Sequence, residues 1–548
     1  MKLIKKILVS ALMFAATLVH AQHADIIITN GKISTLDNEN TEVQAVAITG
    51  NKIVQTGTNA DVLKLKGAGT KIIDAKGNRV IPGLFDTHMH VIRGGRFYNA
   101  ELRWDGVTSL KRALQILKEQ AERTPEGQWV RVVGGWSEYQ FEEKRLPTLK
   151  EINDATGKVP AFILYLYGKA WLNQAGLKKL NITGDTPNPP EGLIQKDNDG
   201  NPTGLLVAEP NAFIFQNFPD DYGITNELND KGMITLRLPH FLFAQKKGVE
   251  SDDYERWIGM VELHGDELTG KVDYHVGGGG ENLVADAADF ENFLFRRPEL
   301  VPGMETQLKK VIKLLANNRW PFRLHATYNE SITRFLNVIE EVNKETPLNG
   351  LVWFFDHAET VSDENLKRIK ALGGGISVQH RMAYQGESFV HRYGKTQALA
   401  SPPVKRMLAL QIPVGLGTDG TRVASYNPWI ALYWITTGKT VGGSQVMAQE
   451  NTLDRTTALR LATHKGYELI RQEKKGKIAR GYYADISILS KDYFAVADND
   501  IRHIVSKLTI VDGKVVYGDK TYSQVAPAEP PVIPAWSPIK HFGGYQQR

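Results

Sequence analysis

Val80-Ile81-Pro82-Gly83-Leu84-Phe85-Asp86-Thr87-His88-Met89-His90 is the stretch on which the reading of the whole chain turns. It opens as a buried strand and ends in His-x-His. Side chains alternate along a strand, so His88 and His90 point to the same side and can chelate one ion. Further along, Arg323-Leu324-His325, Leu351 to His357, Gly375 to His380 and Ile412 to Asp419 repeat the pattern of a short apolar run closed by a polar residue. Helical stretches such as Met304 to Asn317 and Ser331 to Asn343 intervene. Repeated βα units favour an α/β barrel or a doubly wound sheet. The polar residues break the tie. His88, His325, His357, His380 and Asp419 each end an apolar run, and an α/β barrel keeps its chemistry at the C-terminal ends of its strands.

Composition narrows the chemistry. The 548 residues are 42% hydrophobic and 23% charged, enough for a large core in two to four domains, or in one barrel with an appendage. The formal charge of +5 falls by three if the segment holding Lys2, Lys5 and Lys6 is removed. Neither a nucleic-acid groove nor a polybasic membrane patch is expected. There is no cysteine, which excludes disulfides, thiolate metal sites and a cysteine nucleophile. A metal site must then use His, Asp, Glu or a modified Lys. Imidazole and carboxylate ligands without sulfur suit Zn(II), with Mn, Fe, Co or Ni as alternatives. No Gly-x-Ser-x-Gly elbow occurs, and no Gly-x-Gly-x-x-Gly follows a strand. The four glycines at 277–280 lack the Lys-Ser/Thr of a phosphate loop and read as a flexible βα loop allowing close backbone approach.

Both ends differ from the middle. Three lysines precede the apolar run Ile7 to Val19, and Val19-His20-Ala21 offers small residues for cleavage before Gln22. Residues 1–21 are therefore expected to be a signal peptide, and the mature protein periplasmic or secreted and free of the membrane. Ala24-Asp25-Ile26-Ile27-Ile28-Thr29-Asn30-Gly31-Lys32-Ile33 is strand-rich and broken by Asn-Gly, a hairpin signal. Ala484 to Leu489 and Leu508 to Val516 return to that pattern. Residues 22–79 and 466–525 are expected to form one composite β-sandwich around a central module at 80–465. The tail, 526–548, has five prolines between Ala526 and Pro538 and is expected to lie as an extended surface strap.

These motifs, in this order, resemble the amidohydrolase superfamily, and within it the branch called amidohydrolase family 3. The resemblance covers nearly the whole chain after Ala24. Val80 to His90 is similar to the first barrel strand, Leu324-His325-Ala326 and Asp356-His357-Ala358-Glu359 to strands five and six, and Gly415-Leu416-Gly417-Thr418-Asp419 to strand eight. Gly476 to Asp485 is similar to the return to the sandwich. The resemblance implies a TIM-like (β/α)8 barrel. It implies that His88, His90 and Asp419 hold the more buried of one or two metals, and that His325 and His357 hold a second ion or serve a mononuclear site. Asp419 would take the proton of the attacking water and pass it to the leaving amine. His380, in the strand-seven region, would touch substrate.

The sequence departs from the family twice. Relatives often carry a carboxylated lysine on strand four. In Gly270-Lys271-Val272-Asp273-Tyr274-His275-Val276-Gly277 the phase places Asp273 at that bridging position, with Lys271 a poor substitute. Glu262 and His264 lie nearby. Strand two has no visible counterpart, and Ala212-Phe213-Ile214-Phe215 is short for the role, so the barrel is expected to be distorted or to lack that strand. An inserted region at about 100–209 is rich in aromatics. Within it Trp136 and Lys169 are candidates for lining the substrate pocket. The expected function is an exported metal-dependent hydrolase that cleaves a C–N bond in an amide, an N-acyl group or a cyclic amide of a small molecule. The alternatives are a deaminase, and a metal-binding relative that has lost turnover. Family relatives are often dimers, and a homodimer is one expected state.

Overall fold

In the computed structural model, the described residues are 23–545 apart from 167, 190–191, 209–227, 229–230, 245, 262, 264–273, 288, 290–292 and 294–298. They divide into two compact units, one of residues 1–83, 474–492 and 505–527, the other of 84–473, 493–504 and 528–548.

The first unit is two sheets sharing one core. One sheet runs in the order Lys52–Gly57, Ala45–Thr49, Ala24–Thr29, Lys66–Asp74. The other runs Lys514–Gly518, Ser506–Val511, Ile486–Leu489, Arg79–Pro82, Lys32–Ser34, Glu42–Val43. Ile26, Ile28, Val46 and Ile48 from the first meet Ile33, Val80, Ile486, Ile488 and Leu508 from the second. Alternation along each strand supplies this shared apolar face.

Val80 therefore starts no barrel strand. Arg79–Pro82 pairs with Lys32–Ser34 in parallel and with Ile486–Leu489 in antiparallel fashion. Pro82 has no N–H to continue a ladder, and the strand stops there. The chain resumes in the second unit as the run 84–90. That run lies beside Val414–Gly417, with Thr87 N donating to Leu416 O at 3.3 Å and Asp419 N to His88 O at 2.8 Å.

The second unit is built on a parallel sheet of six strands in the order Leu238–Leu242, Tyr274–Gly279, Phe322–Ala326, Trp353–His357, Gly375–Gln379, Val414–Gly417. Phe322–Ala326, Trp353–His357, Gly375–Gln379 and Val414–Gly417 are buried at every position, as strands covered on both faces must be. The helix Asn329–Glu345 buries Ile332, Phe335, Leu336, Ile339 and Val342, a 3.6-residue stripe facing the sheet. Asp363–Ala371 follows the next strand, with the Ser362 hydroxyl capping Asn365 N.

The insertion forms its own six-stranded sheet, in the order Gly192–Lys196, Pro202–Ala208, Lys169–Leu172, Ala161–Tyr165, Val130–Val132, Glu101–Leu102. Leu205 to Ala208 thus belongs to this sheet. Ala212 to Phe215, weighed above for strand two, lies outside the described residues. No helix among the described residues is long and apolar enough to cross a membrane. The tail, expected to be an extended strap, carries a short helix, Pro538–Phe542. Ser537 Oγ donates to Asn99 O at 2.5 Å, and Gln120 Nε2 donates to Trp536 O at 2.9 Å.

Candidate metal centre

Each site residue comes from the C-terminal end of a strand or from the loop directly after it. His325 is the fourth residue of Phe322–Ala326, and His357 is the last of Trp353–His357. Parallel register sets Ala326 beside His357 and His325 beside Asp356. His88 and His90 reach the same place because Asp86 ties their run to the end of Val414–Gly417. Its carboxylate accepts from His88 N at 3.0 Å, Thr418 N at 3.0 Å and Thr418 Oγ1 at 2.6 Å. Asp419 and His357 both hold left-handed backbone, at φ 55° and 79°. Such conformations cost roughly 1–3 kcal/mol in non-glycine residues and persist where the surroundings impose them.

The five sequence-predicted ligands converge. His90 Nε2 lies 3.2 Å from Asp419 Oδ1, and His88 Nε2 3.5 Å from the same oxygen. The rings of His325 and His357 are 4.2 Å apart, and those of His88 and His357 5.1 Å. Asp273, the expected bridging position, lies outside the described residues, as do Lys271, Glu262 and His264.

Glu281 stands in the middle of the cluster. One carboxylate oxygen, Oε2, is 3.4 Å from His88 Nε2, 3.2 Å from His325 Nδ1 and 3.6 Å from His357 Nε2. The other, Oε1, is 3.7 Å from His90 Nε2. Three donor sets can each hold an ion: His88 with His357 and Asp419, His88 with His90 and Glu281, and Glu281 with His325 and His357. The second and third share Glu281.

The glycines before Glu281 are mostly strand rather than loop. Gly277 to Gly279 belong to Tyr274–Gly279, and a Cβ on Gly280 would run into the carbonyl of Arg323. They let Glu281 close onto the next strand, where its O accepts from His325 N at 3.0 Å. A carboxylate directly after a four-glycine run at a strand end was the available signal for this residue.

A second layer orients the imidazoles. Asp356 is 2.9 Å from His88 Nδ1 and is held by Arg323, whose Nε donates to its Oδ2 at 2.7 Å. Asp289 takes the N–H groups of Thr327 and Tyr328 and lies 3.6 Å from His325 Nε2. Metal-binding histidines are commonly fixed through the ring nitrogen that faces away from the ion.

The charge balance suits a cation. Burial alone would raise the acids and lower the imidazoles. Against its own burial, His88 is pushed up to about 10 by Glu281 and Asp356. Also against burial, Asp419 is held well below its usual range by His88 and His90, and Glu281 likewise by His88 and His325. Carboxylates this acidic remain available as ligands throughout the neutral range.

The substrate candidates fall differently. His380 is buried next to Tyr384, ring centroids 5.6 Å apart, and burial lowers it to about 4. Trp136 packs on Trp104, Phe141 and Tyr165, and its Nε1 donates to Leu164 O at 2.9 Å. That makes Trp136 core of the inserted sheet, because a large aromatic gains more from burial than from lining a cleft. Lys169 pairs with Tyr165 and Val207 within the same sheet.

Comparison with known proteins agrees with this architecture. Residues 71–517 match the model of the amidohydrolase family. The chain belongs to that family, one of metal-dependent hydrolases of carbon–nitrogen bonds. YtcJ of Bacillus subtilis (strain 168) is 24% identical over 89% of this chain and 98% of its own. The N-substituted formamide deformylase of Arthrobacter pascens is 23% identical over 90% of this chain and 99% of its own. Among solved structures, an uncharacterized metal-dependent hydrolase from Pyrococcus horikoshii OT3 has the same fold. Its TM-score is 0.59 at 20% identity, over 86% of this chain and 99% of that one.

Proposed function

We propose that the protein is an exported hydrolase of N-acyl or N-formyl amines. In this reading His88, His90 and Asp419, with His325, His357 and Glu281, would hold one or two Zn(II) ions. The observation that carries it is the single carboxylate of Glu281 standing within 3.7 Å of a ring nitrogen of all four histidines. Export is supported by the lysine-then-apolar leader, whose residues 1–21 lie outside the described ones. A complete barrel is supported by the 84–90 run bonded along Val414–Gly417, and a β-sandwich by the core common to two sheets.

The donor set fits a divalent ion without sulfur ligands, and such an ion supplies an acidified water and a polarised carbonyl. The residues do the rest. Asp419, buried and strongly acidic, accepts one proton as water adds to the acyl carbon. It returns that proton to the nitrogen as the C–N bond breaks, releasing the acid and the amine. His380, neutral because burial holds it near 4 and within electrostatic reach of Asp419, would serve as a hydrogen-bonding group for substrate.

The test is zinc-reconstituted protein assayed on a panel of N-formyl and N-acetyl amines beside Asp419→Asn. Hydrolysis that disappears in Asp419→Asn, with zinc content retained, is the expected result. No hydrolysis of any member by the zinc-loaded protein would defeat this reading and favour a binding role.

A further inference from the structure

The histidines of the centre are not held alike. His88 has Asp356 at 2.9 Å from Nδ1, and His325 has Asp289 at 3.6 Å from Nε2. His357 is different. It is 1% exposed, and neither of its ring nitrogens has a hydrogen-bond partner among the described residues. No acid orients this ring from behind, so its aim is set by its packing and by the backbone that carries it.

That backbone is unusual. His357 closes Trp353–His357 at φ 79°, and Ala358 follows at 53°. Left-handed non-glycine residues cost roughly 1–3 kcal/mol each and persist only with outside support. The ladder to the next strand ends one residue earlier, at Asp356 beside Ser377. The N–H of His357 turns instead to a side chain, donating to Gln379 Oε1 at 2.8 Å. Left without an acceptor at this depth, that N–H would cost about 1–3 kcal/mol.

Gln379 is itself held. Ser377 and Gln379 are two residues apart on one strand and share a face. Gln379 Nε2 donates to Ser377 Oγ at 2.6 Å, and Ser377 Oγ lies 2.7 Å from Thr87 Oγ1. A backbone N–H can only donate, so the amide oxygen must face His357 and the amide nitrogen Ser377. All of these side chains are buried. Thr87 comes this close because a glycine stands opposite: a Cβ on Gly415 would lie 2.5 Å from Thr87 Cγ2. Thr87 is the residue before His88, and the rings of His88 and His357 stand 5.1 Å apart.

We propose that Gln379 is a positioning residue of the metal centre, which sets His357 through its backbone N–H and, through Ser377 and Thr87, fixes it in register with His88. Gln379 is not one of the ligands. Its loss leaves the donor set His88, His357 and Asp419 complete in the chain and displaces one member of it. This rests on the metal-centre reading given above.

The experiment measures zinc affinity by competition with a chromophoric chelator, together with the visible absorption of the Co(II)-substituted protein. Gln379→Met keeps the length of the side chain and removes its acceptor. A loss of about tenfold or more in affinity, with an altered Co(II) band, is expected. Gln379→Glu keeps an acceptor for the His357 N–H, and Ser377 can turn its hydroxyl to donate to it, so most of the affinity and the wild-type band should return. Ser377→Ala leaves the acceptor but loosens it, and should fall between the two. A merely structural role would lower the melting temperature of the stripped protein and leave the Co(II) band where it was. If Gln379→Met does not fold, Gln379→Asn, one methylene short of the His357 N–H, carries the same expectation. Wild-type affinity and an unchanged band in either folded variant overturn the proposal. Stoichiometric zinc in the wild type without hydrolysis of N-acyl amines defeats the hydrolase reading alone. No zinc in the wild type defeats the metal centre, and this proposal with it.

Discussion

Asp356 lies 2.9 Å from Nδ1 of His88, one residue before His357 on the same strand. One strand thus supplies a ligand and orients another. Its Nδ1 also meets the Arg323 guanidinium, and its Nε2 faces Glu281 and Asp419.

Asp356→Asn should therefore weaken metal binding although it removes no ligand. A loss of about 10- to 100-fold in affinity is expected, read by competition with a chromophoric chelator. Equal affinities in variant and wild type would show that the contact does not orient His88.

Glu281 provides its carboxylate without any modification of the chain. Zinc loading and activity should be indifferent to added or withheld bicarbonate. Glu281→Gln should reduce bound zinc by about one equivalent and lower kcat by at least about 100-fold. Full activity in Glu281→Gln would remove the residue from the centre.

Without a cation, the proton on His88 does the work of one. Its folded pKa of about 10 exceeds the ordinary value of about 6.5. The stabilisation is complete below about pH 6.5 and is lost as pH rises toward 10. Chelator-stripped protein should therefore melt at a lower temperature at pH 9.5 than at pH 6.5, and His88→Gln should flatten that difference. Zinc-loaded protein should not show the His88 contribution, because the ion has already displaced the proton. An identical pH slope in stripped wild type and His88→Gln would contradict it.

What could be read in advance divides along physical lines. His88, His90, His325, His357 and Asp419 could be picked out because each ends or follows an apolar run, and the structure brings them together. Glu281 was not, because the bridging position was sought by strand phase from Lys271 and Asp273. Glu281 stands beyond Gly280, after the last residue of the strand. Trp136 drew notice because aromatic content does not distinguish a sheet core from a cleft; the structure packs it on Trp104 and Phe141. Val80 was assigned to the wrong unit for a similar reason: apolar continuity across Pro82 and Gly83 concealed a boundary.

The end of the tail fits tightly. A Cβ on Gly544 would strike the hydroxyl of Tyr426 and come within 2.7 Å of that of Tyr98. Gly544→Val should destabilise by about 1–3 kcal/mol, seen in the urea midpoint, and should free the tail for limited trypsin cleavage. An unchanged midpoint and cleavage pattern would show that the segment packs elsewhere.

The anchoring of that tail also has a consequence for the order of events during synthesis. Trp536 and Ser537 dock on Gln120 and Asn99, 416 and 438 positions earlier in the chain. At about 5–20 residues per second, the ribosome makes the docking surface roughly 20 to 90 s before the segment that covers it. The final contact can form only after residues 536 and 537 have been made. A nascent chain stalled short of Trp536 would hold every histidine of the centre and still lack these two contacts.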